Sequence, residues 1–141
     1  MLLILDTNVV SELMRPGPHP QVLAWASAQP IADMAITAVT VMEIRSGIAY
    51  LPDGARKGAL EARFRQFLAR GFGGRVLPFD EGAAESCATL RAQRRRAGKS
   101  SATEDAMIAG IALQLGGTVV TRDSGFDSHG VPVINPWAAA S

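Results

Sequence analysis

The sequence predicts an α/β protein with a three-layer α/β/α arrangement and a mostly parallel central sheet of about five strands. Short apolar runs alternate with longer segments of helical periodicity along the 141 residues. Such alternation is typical of parallel strands joined by helical crossovers. The apolar runs are also continuous, as expected for strands that are buried on both faces.

Five apolar runs are predicted as strands, at 2–5, 34–37, 75–79, 118–121 and 131–134. Six segments are predicted as helices, at 7–14, 18–28, 39–51, 55–71, 81–97 and 102–115. Prolines at 16, 18 and 20 break the chain after the first helix, because proline lacks the amide that a helix interior needs. A Pro-Asp-Gly turn at 52–54 separates the third and fourth helices. Gly116 ends the last helix, since glycine adopts the left-handed cap conformation without strain. We find no linker or repeat, so 1–141 is predicted to be a single domain.

Composition restricts the class of protein. Hydrophobic residues make up 48% of the chain and charged residues 19%, which indicates a globular rather than a disordered protein. The single cysteine, Cys87, excludes an internal disulfide and fits a reducing compartment. The start "MLLIL" lacks the basic region of a signal peptide, and no apolar run reaches the roughly 18 residues of a membrane span. We therefore expect a cytoplasmic protein with no membrane contact.

Four acidic residues are predicted to meet at one edge of the sheet. Asp6 directly follows the first strand, and Asp123 follows the fourth in "TVVTRD". Glu43 lies early in the helix after the second strand, and Asp105 lies in the opening turn of the helix before the fourth. A helix antiparallel to the strands begins at their carboxyl ends, where open parallel sheets bind ligands. All four side chains can therefore reach the same crevice.

Converging carboxylates need a counter-charge. Asp105 shares a helix face with apolar residues, namely Ile108, Ala109 and Ala112, so its side chain is predicted to point inward. A buried carboxylate without a cation is costly, and several together repel one another. A hard divalent cation such as Mg²⁺ or Mn²⁺, which prefers oxygen ligands, resolves both problems.

Each acid also has a purely structural alternative. Asp6 can be a helix N-cap, and Glu43 can close a capping box that begins at Thr40. Asp105 can complement the helix dipole, and Asp123 can be an ordinary turn residue. Asp80 illustrates this alternative, since it also follows a predicted strand and is interpreted as the cap of the next helix.

The motif order "LLILDTN … ITAVTVMEIRSGI … SATEDAMIAGIA … TVVTRD … GVPVINPW" resembles the PIN-domain ribonucleases over essentially the whole chain, and within them the VapC or FitB type of bacterial toxin. The resemblance implies a PIN-like fold and metal-dependent cleavage of RNA. It also implies that the catalytic, Mg²⁺- or Mn²⁺-binding residues are Asp6, Glu43, Asp105 and Asp123. Asn8 and Thr121 match supporting positions, where Asn8 either orients Asp6 or is an ordinary outward-facing residue of the helix. The partners implied are a second copy of the chain and a small DNA-binding antitoxin.

Basic residues are candidates for binding RNA phosphates. Arg94, Arg95 and Arg96 precede the motif that contains Asp105, and phosphate contacts position RNA without reading its sequence. Their alternative role is to complement the dipole at a helix C-terminus. Neutralising them should weaken RNA binding and flatten its salt dependence. Three further arginines lie closer to the acid motifs, namely Arg15, Arg45 and Arg122.

Other functions fit the sequence less well. There is no Gly-rich phosphate loop, and the two histidines, His19 and His129, are predicted in loops away from the acid motifs. A receiver-like Mg²⁺-binding signalling domain would need paired acids after the first strand, where only Asp6 stands. A phosphatase of the haloacid-dehalogenase type would need a second aspartate at the position of Asn8. A catalytically silent PIN-fold binding module is the remaining alternative.

Overall fold

The computed structural model describes residues 1–72 and 75–138 of the chain. It confirms the α/β class, because five strands form one sheet in the order β3-β2-β1-β4-β5 and every neighbouring pair is parallel. The strands are β1 (Leu3–Leu5), β2 (Met34–Thr37), β3 (Val76–Leu77), β4 (Thr118–Val120) and β5 (Val133–Ile134).

Helices connect the strands as the periodicity predicts, with ends that differ from the predicted bounds by one or two residues. They are α1 (Thr7–Leu13), α2 (Pro20–Ala28), α3 (Ala38–Ala49), α4 (Ala55–Phe72), α5 (Glu81–Arg96) and α6 (Thr103–Leu115). Two short 3₁₀ helices were not predicted, at Ile31–Asp33 and Ser124–His129. Gly116 ends α6 in the left-handed conformation, with φ of 67°, as predicted.

Four of the five strands are shorter than their predicted apolar runs, and the two that lose the most residues lie at the edges of the sheet. The third run, 75–79, pairs only as Val76–Leu77, and the fifth, 131–134, only as Val133–Ile134. Both are edge strands that lie next to a proline, Pro78 or Pro132. Proline has no amide to donate to a ladder, so the pairing stops there.

The two faces of the sheet pack against different helices. On one face, Ile4 and Val119 contact α5 and α6 through residues such as Ile108. On the other face, Leu5 and Val120 pack against α1 to α4. From α4, Phe64 is a buried member of this second core at 1% exposure, and Leu60 and Phe67 pack against it. Among the described residues, no helix has both the length and the apolarity needed to cross a membrane.

The close packing of α5 on α6 fixes the position of the helix that carries Asp105. At Gly110 of α6, a Cβ atom would lie 2.7 Å from the carbonyl oxygen of Ala83 in α5. Only glycine permits this approach, because 2.7 Å is well inside van der Waals contact. The first turn of α6 is thereby held at the carboxyl ends of β1 and β4.

Candidate functional site

Asp6 lies at the centre of the site, where β1 leaves the sheet. Its side chain is 5% exposed and accepts hydrogen bonds from the Thr7 amide at 2.8 Å and from the Thr121 hydroxyl at 2.8 Å. The Asn8 amide nitrogen lies 3.3 Å from the same Asp6 oxygen that Thr121 contacts. Asp6 does cap α1, so its structural role coexists with its place in the site.

Thr121 connects three parts of the site although it is fully buried. Its hydroxyl donates to Asp6, and it accepts from the Asn8 side chain at 3.0 Å and from the Asp123 amide at 3.0 Å. The structure therefore places both supporting residues, Asn8 and Thr121, in direct contact with Asp6. The hydroxyl fixes the direction in which the Asp6 carboxylate points.

Glu43 is held by a residue that sequence reasoning missed. The Thr7 hydroxyl donates to Glu43 Oε1 at 2.8 Å and lies 3.2 Å from the Thr40 hydroxyl. The capping box suggested for Thr40 and Glu43 is wrong, because Thr37 caps α3 and accepts from the Thr40 amide at 3.1 Å. Glu43 therefore lies in the second turn of α3. Thr7 could have been found from its position in the sequence, because it carries a hydroxyl in the first turn of the helix that begins at the acidic edge.

Asp105 is the third residue of α6, and its carboxyl group accepts no hydrogen bond from any described residue. Its pKa is raised to about 6, first by burial and then by the charges of Asp6, Asp123 and Glu43, with Glu104 adding a smaller effect. Burial raises the pKa of Asp6 as well, and Glu43 and Asp123 raise it further, against the hydrogen bonds from Thr121 and Thr7. The four predicted acids are thus close enough to repel one another.

Asp123 combines a turn role with a place in this cluster. It caps the short helix Ser124–His129, with its Oδ1 accepting from the Gly125 amide at 2.8 Å. Its charge acts on both Asp6 and Asp105. Asp127 lies exposed in the same short helix.

The cluster consists of oxygen donors, which suits Mg²⁺ or Mn²⁺, and the mutual repulsion of the acids favours a cation. Within residues 1–72 and 75–138, however, no three acid, histidine or cysteine side chains are close enough together to ligate one ion directly. The charges of the acids act on one another, but the side chains do not surround a single ion position. This arrangement still fits Mg²⁺, which usually keeps several waters and takes only one or two carboxylates directly.

His129 differs from its predicted loop environment. It is 7% exposed within the Ser124–His129 helix, with Nδ1 3.1 Å from the Gly125 carbonyl oxygen and its ring 5.7 Å from that of Phe126. Burial lowers its pKa and the charge of Arg94 lowers it further, against the hydrogen bond to Gly125 and the charge of Asp123. His129 therefore lies between the acids and the basic end of α5.

The predicted RNA-binding arginines lie in two parts of the molecule, three at the C-terminal end of α5 and three nearer the acid motifs. Arg94 donates to the Ser100 carbonyl oxygen at 2.8 Å, and a cavity of about 550 Å³ beside it is also lined by Arg91, Arg95 and Lys99. Arg96 ends α5 and does not line that cavity.

The other three arginines lie nearer the acid motifs. Arg15 pairs with Glu12 at 3.5 Å. Arg45 lies over the Phe64 ring at 5.4 Å, two residues along the helix from Glu43 and hence turned away from it. Arg122 lies over the Trp137 ring at 4.5 Å.

An apolar groove of about 530 Å³ begins at Thr7 and Glu43 and runs between α1, α3 and α4. Ile44, Ile48 and Leu60 form part of its wall, and its rim is basic, with Arg15, Arg56 and Arg63. A ligand with an apolar segment could therefore bind in the groove and reach the acids from it.

Comparisons with known proteins identify the family and agree with the fold. A family profile described as the PIN domain matches residues 3–131. The chain is 42% identical to the toxin FitB of Neisseria gonorrhoeae, over 96% of this chain and 99% of that protein. It is also 42% identical to the VapC ribonuclease Y4jK of Sinorhizobium fredii, over 99% of this chain and all of that protein. The crystal structure of FitAcB from Neisseria gonorrhoeae superimposes with a TM-score of 0.90, at 42% identity, over 98% of this chain and all of that one.

Proposed function

We propose that this chain, which belongs to the PIN-domain family, is a metal-dependent endoribonuclease that acts as the toxin of a toxin–antitoxin pair in the cytoplasm. The observation that carries the proposal is the meeting of the predicted acids at one edge of the sheet, where hydrogen bonds through Thr7 and Thr121 join Asp6 to Glu43 and to the Asp123 amide. Asp105 is near enough for the charges of these acids to raise its pKa. A relative named a ribonuclease and another named a toxin, both similar over nearly the whole chain, support it.

PIN-domain ribonucleases generally depend on a divalent metal, and Mg²⁺ or Mn²⁺ is the cation proposed here. Asp6, Glu43, Asp105 and Asp123 would hold it, directly or through water. When bound, it would neutralise charge on the phosphate and activate a water molecule for phosphodiester hydrolysis.

The residues of the chain would have separate tasks in hydrolysis. Thr121 and Asn8 hold the Asp6 carboxylate in one orientation, and Thr7 does the same for Glu43. Asp105 or Asp123 would accept the proton of the attacking water. Asp105 is the better acceptor, because Asp123 already accepts from the Gly125 amide.

RNA would be bound by basic groups around the acids. Arg95 lines the cavity at the end of α5 with Arg94, and Arg96 lies beside them, so these three would hold the backbone on that side. Arg15 and Arg122 lie on the α1 side of the acids, while Arg45 is the least well placed of the group.

The test is cleavage of total cellular RNA by purified, partner-free protein with Mg²⁺, with Mn²⁺ and with chelator. We expect cutting with either metal, none with chelator, and none by Asp105→Asn. Metal-independent cutting, or cutting that survives Asp105→Asn, would refute the mechanism. A folded protein that binds RNA but never cuts would instead be a silent PIN-fold binding module. The PIN-domain match over residues 3–131 excludes the receiver-like alternative.

The antitoxin is proposed to bind in the apolar groove that begins at Glu43, with a basic side chain reaching the acids. Ala59 lines this groove, whereas Ala62 on the same helix does not. We expect Ala59→Arg to abolish co-purification with a co-expressed small DNA-binding protein encoded beside this chain, while Ala62→Arg does not. Equal capture of the partner by both variants would remove the groove from the proposal.

A homodimer is also proposed, and sedimentation at high concentration tests it.

A further inference from the structure

We propose that Trp137 holds Arg122 beside the acids as a clamp for an RNA backbone phosphate next to the cleaved bond, an inference that rests on the nuclease function proposed above. Arg122 would touch the phosphate, and Trp137 would act as a positioning residue behind it. The clamp recognises a phosphodiester group and not a base.

The contact between the two side chains is direct. The guanidinium carbon of Arg122 lies 4.5 Å from the centroid of the Trp137 ring, within the range of a cation–π interaction. Tryptophan is the strongest partner for such a contact. Stacking restricts a side chain that would otherwise sample many rotamers, so the cation is held in one place.

The tryptophan is itself fixed. Its backbone amide donates to Asn135 Oδ1 at 2.9 Å, which turns the chain back after β5. The indole packs against the core that contains Val120 and Ile134. One part of the ring is therefore anchored in the protein while Arg122 covers another.

Arg122 lies two residues after the end of β4, in a bend of the chain. Its contact with Trp137 places its side chain on the face of the sheet that carries Val120. Thr121 contacts Asp6, whereas Val120 packs in the same core as Trp137. The Arg122 amide donates to Asn8 Oδ1 at 3.4 Å. Arg122 therefore leaves the chain at the acidic edge but on the α1 side.

Arg122 has donors available for a phosphate. Among the described residues it forms no ion pair with the acids around it; Arg15, by contrast, is paired with Glu12. Stacking uses the face of the guanidinium and leaves its edge N–H groups, which match a phosphate in a bidentate manner. An exposed, oriented guanidinium next to a metal-binding cluster suits the phosphate beside the one that is cut.

The experiment measures binding of a fluorescein-labelled, short, mixed-sequence single-stranded RNA as a function of salt. It uses chelator and an Asp105→Asn background, so that no RNA is cut. We expect Arg122→Gln to weaken binding about tenfold. The slope of log affinity against log salt should fall by about 0.7, the value for one phosphate contact on a single strand. Arg65→Gln, which removes the same charge from exposed α4, is the matched control and should change the slope little.

The positioning role of Trp137 is tested by asking whether its substitution weakens RNA binding only when Arg122 is present. Trp137→Leu should weaken binding several-fold, Trp137→Phe should retain most of it, and Trp137→Leu should have no further effect in an Arg122→Gln background. Circular dichroism checks folding, and Trp137→Phe preserves a ring if the leucine variant unfolds. An equal loss from Trp137→Leu with and without Arg122 would overturn the clamp.

The two proposals fail in different ways. RNA cutting by the wild-type chain with an unchanged salt slope in Arg122→Gln would refute the clamp alone. An Arg122-dependent slope in a chain that never cuts RNA would support phosphate binding by Arg122 held on Trp137, but would refute the nuclease and with it a place beside a cleaved bond.

Discussion

Asp6 and Asp80 occupy equivalent positions in the sequence but different environments in the structure. Each follows an apolar run and caps the next helix, Asp6 through the Thr7 amide at 2.8 Å and Asp80 through the Ala83 amide at 2.9 Å. Asp6 follows the central strand β1 and is 5% exposed among other acids, whereas Asp80 follows the edge strand β3 and is exposed.

The difference shows that the chemistry of a strand-ending aspartate depends on its neighbours in the sheet. Beside Asp6, β4 delivers Thr121 and Asp123, and α3 and α6 deliver Glu43 and Asp105. The edge position of β3 leaves Asp80 outside that group. Capping is a local role that both residues perform, and the metal binding proposed for Asp6 depends on its central position.

The largest expected effect separates the two aspartates by activity. Asp6→Asn should lower the rate of RNA cleavage by at least about a hundredfold, because a ligand charge is lost at the reacting phosphate. Asp80→Asn should leave the rate unchanged, since asparagine caps a helix as well as aspartate does. Initial rates with saturating Mg²⁺ measure both, and a comparable loss in the two variants would contradict the distinction.

The next effect concerns the hydroxyl that orients Asp6. Thr121→Val keeps the shape of the side chain but removes the donor to Asp6, so we expect a loss of about 10- to 100-fold in metal affinity or cleavage. Thr118→Val, at the other end of the same strand, is the matched control. Calorimetric titration of Mn²⁺ gives the affinity, and equal values for the two variants would show that Thr121 does not orient the ligand.

A smaller effect is expected at Thr7, which holds Glu43 at 2.8 Å. Thr7→Val should reduce cleavage about tenfold, and Thr7→Ser should restore most of it because the hydroxyl remains. Rates as a function of Mg²⁺ concentration distinguish the two variants. If serine were as inactive as valine, the methyl group and not the hydrogen bond would be responsible.

The smallest effect concerns the stability of the metal-free chain. The folded-state pKa of Asp105, about 6, lies above its ordinary value of 3.8, so the protonated form is favoured by folding. This contribution is fully present below pH 3.8 and is lost as pH rises through about 6. In chelator above pH 7, Asp105→Asn should therefore raise the free energy of unfolding, by no more than about 1–2 kcal/mol because solvent screens this partly exposed carboxylate, and Asp80→Asn should not. Urea unfolding at several pH values measures this, and a destabilised Asp105→Asn would contradict the repulsion.

Most of the fold could be predicted because its signals are local. Continuous apolar runs gave the five strands, and glycine and proline gave several helix ends, such as Gly116. The edge strands were overestimated because Pro78 and Pro132, which cannot donate to a ladder, interrupt runs that hydrophobicity alone treats as continuous. The hydroxyl of Thr7 was missed for a different reason, since its partner Glu43 is 36 positions away.

The sequence by itself determined the order of strands and helices and which acids follow strand ends, because hydrophobic periodicity and capping act over a few residues. Only the tertiary structure decided which of those acids meet. Sheet order placed β1 beside β4 and left β3 at the edge, so Asp6 is buried among charges and Asp80 faces water. The tertiary structure also decided which arginine lies over an aromatic ring at the acidic edge. Arg122 and Trp137 come into contact only because β4 pairs with β5. Electrostatic coupling depends on distance in space, and the sequence fixes that distance only through packing.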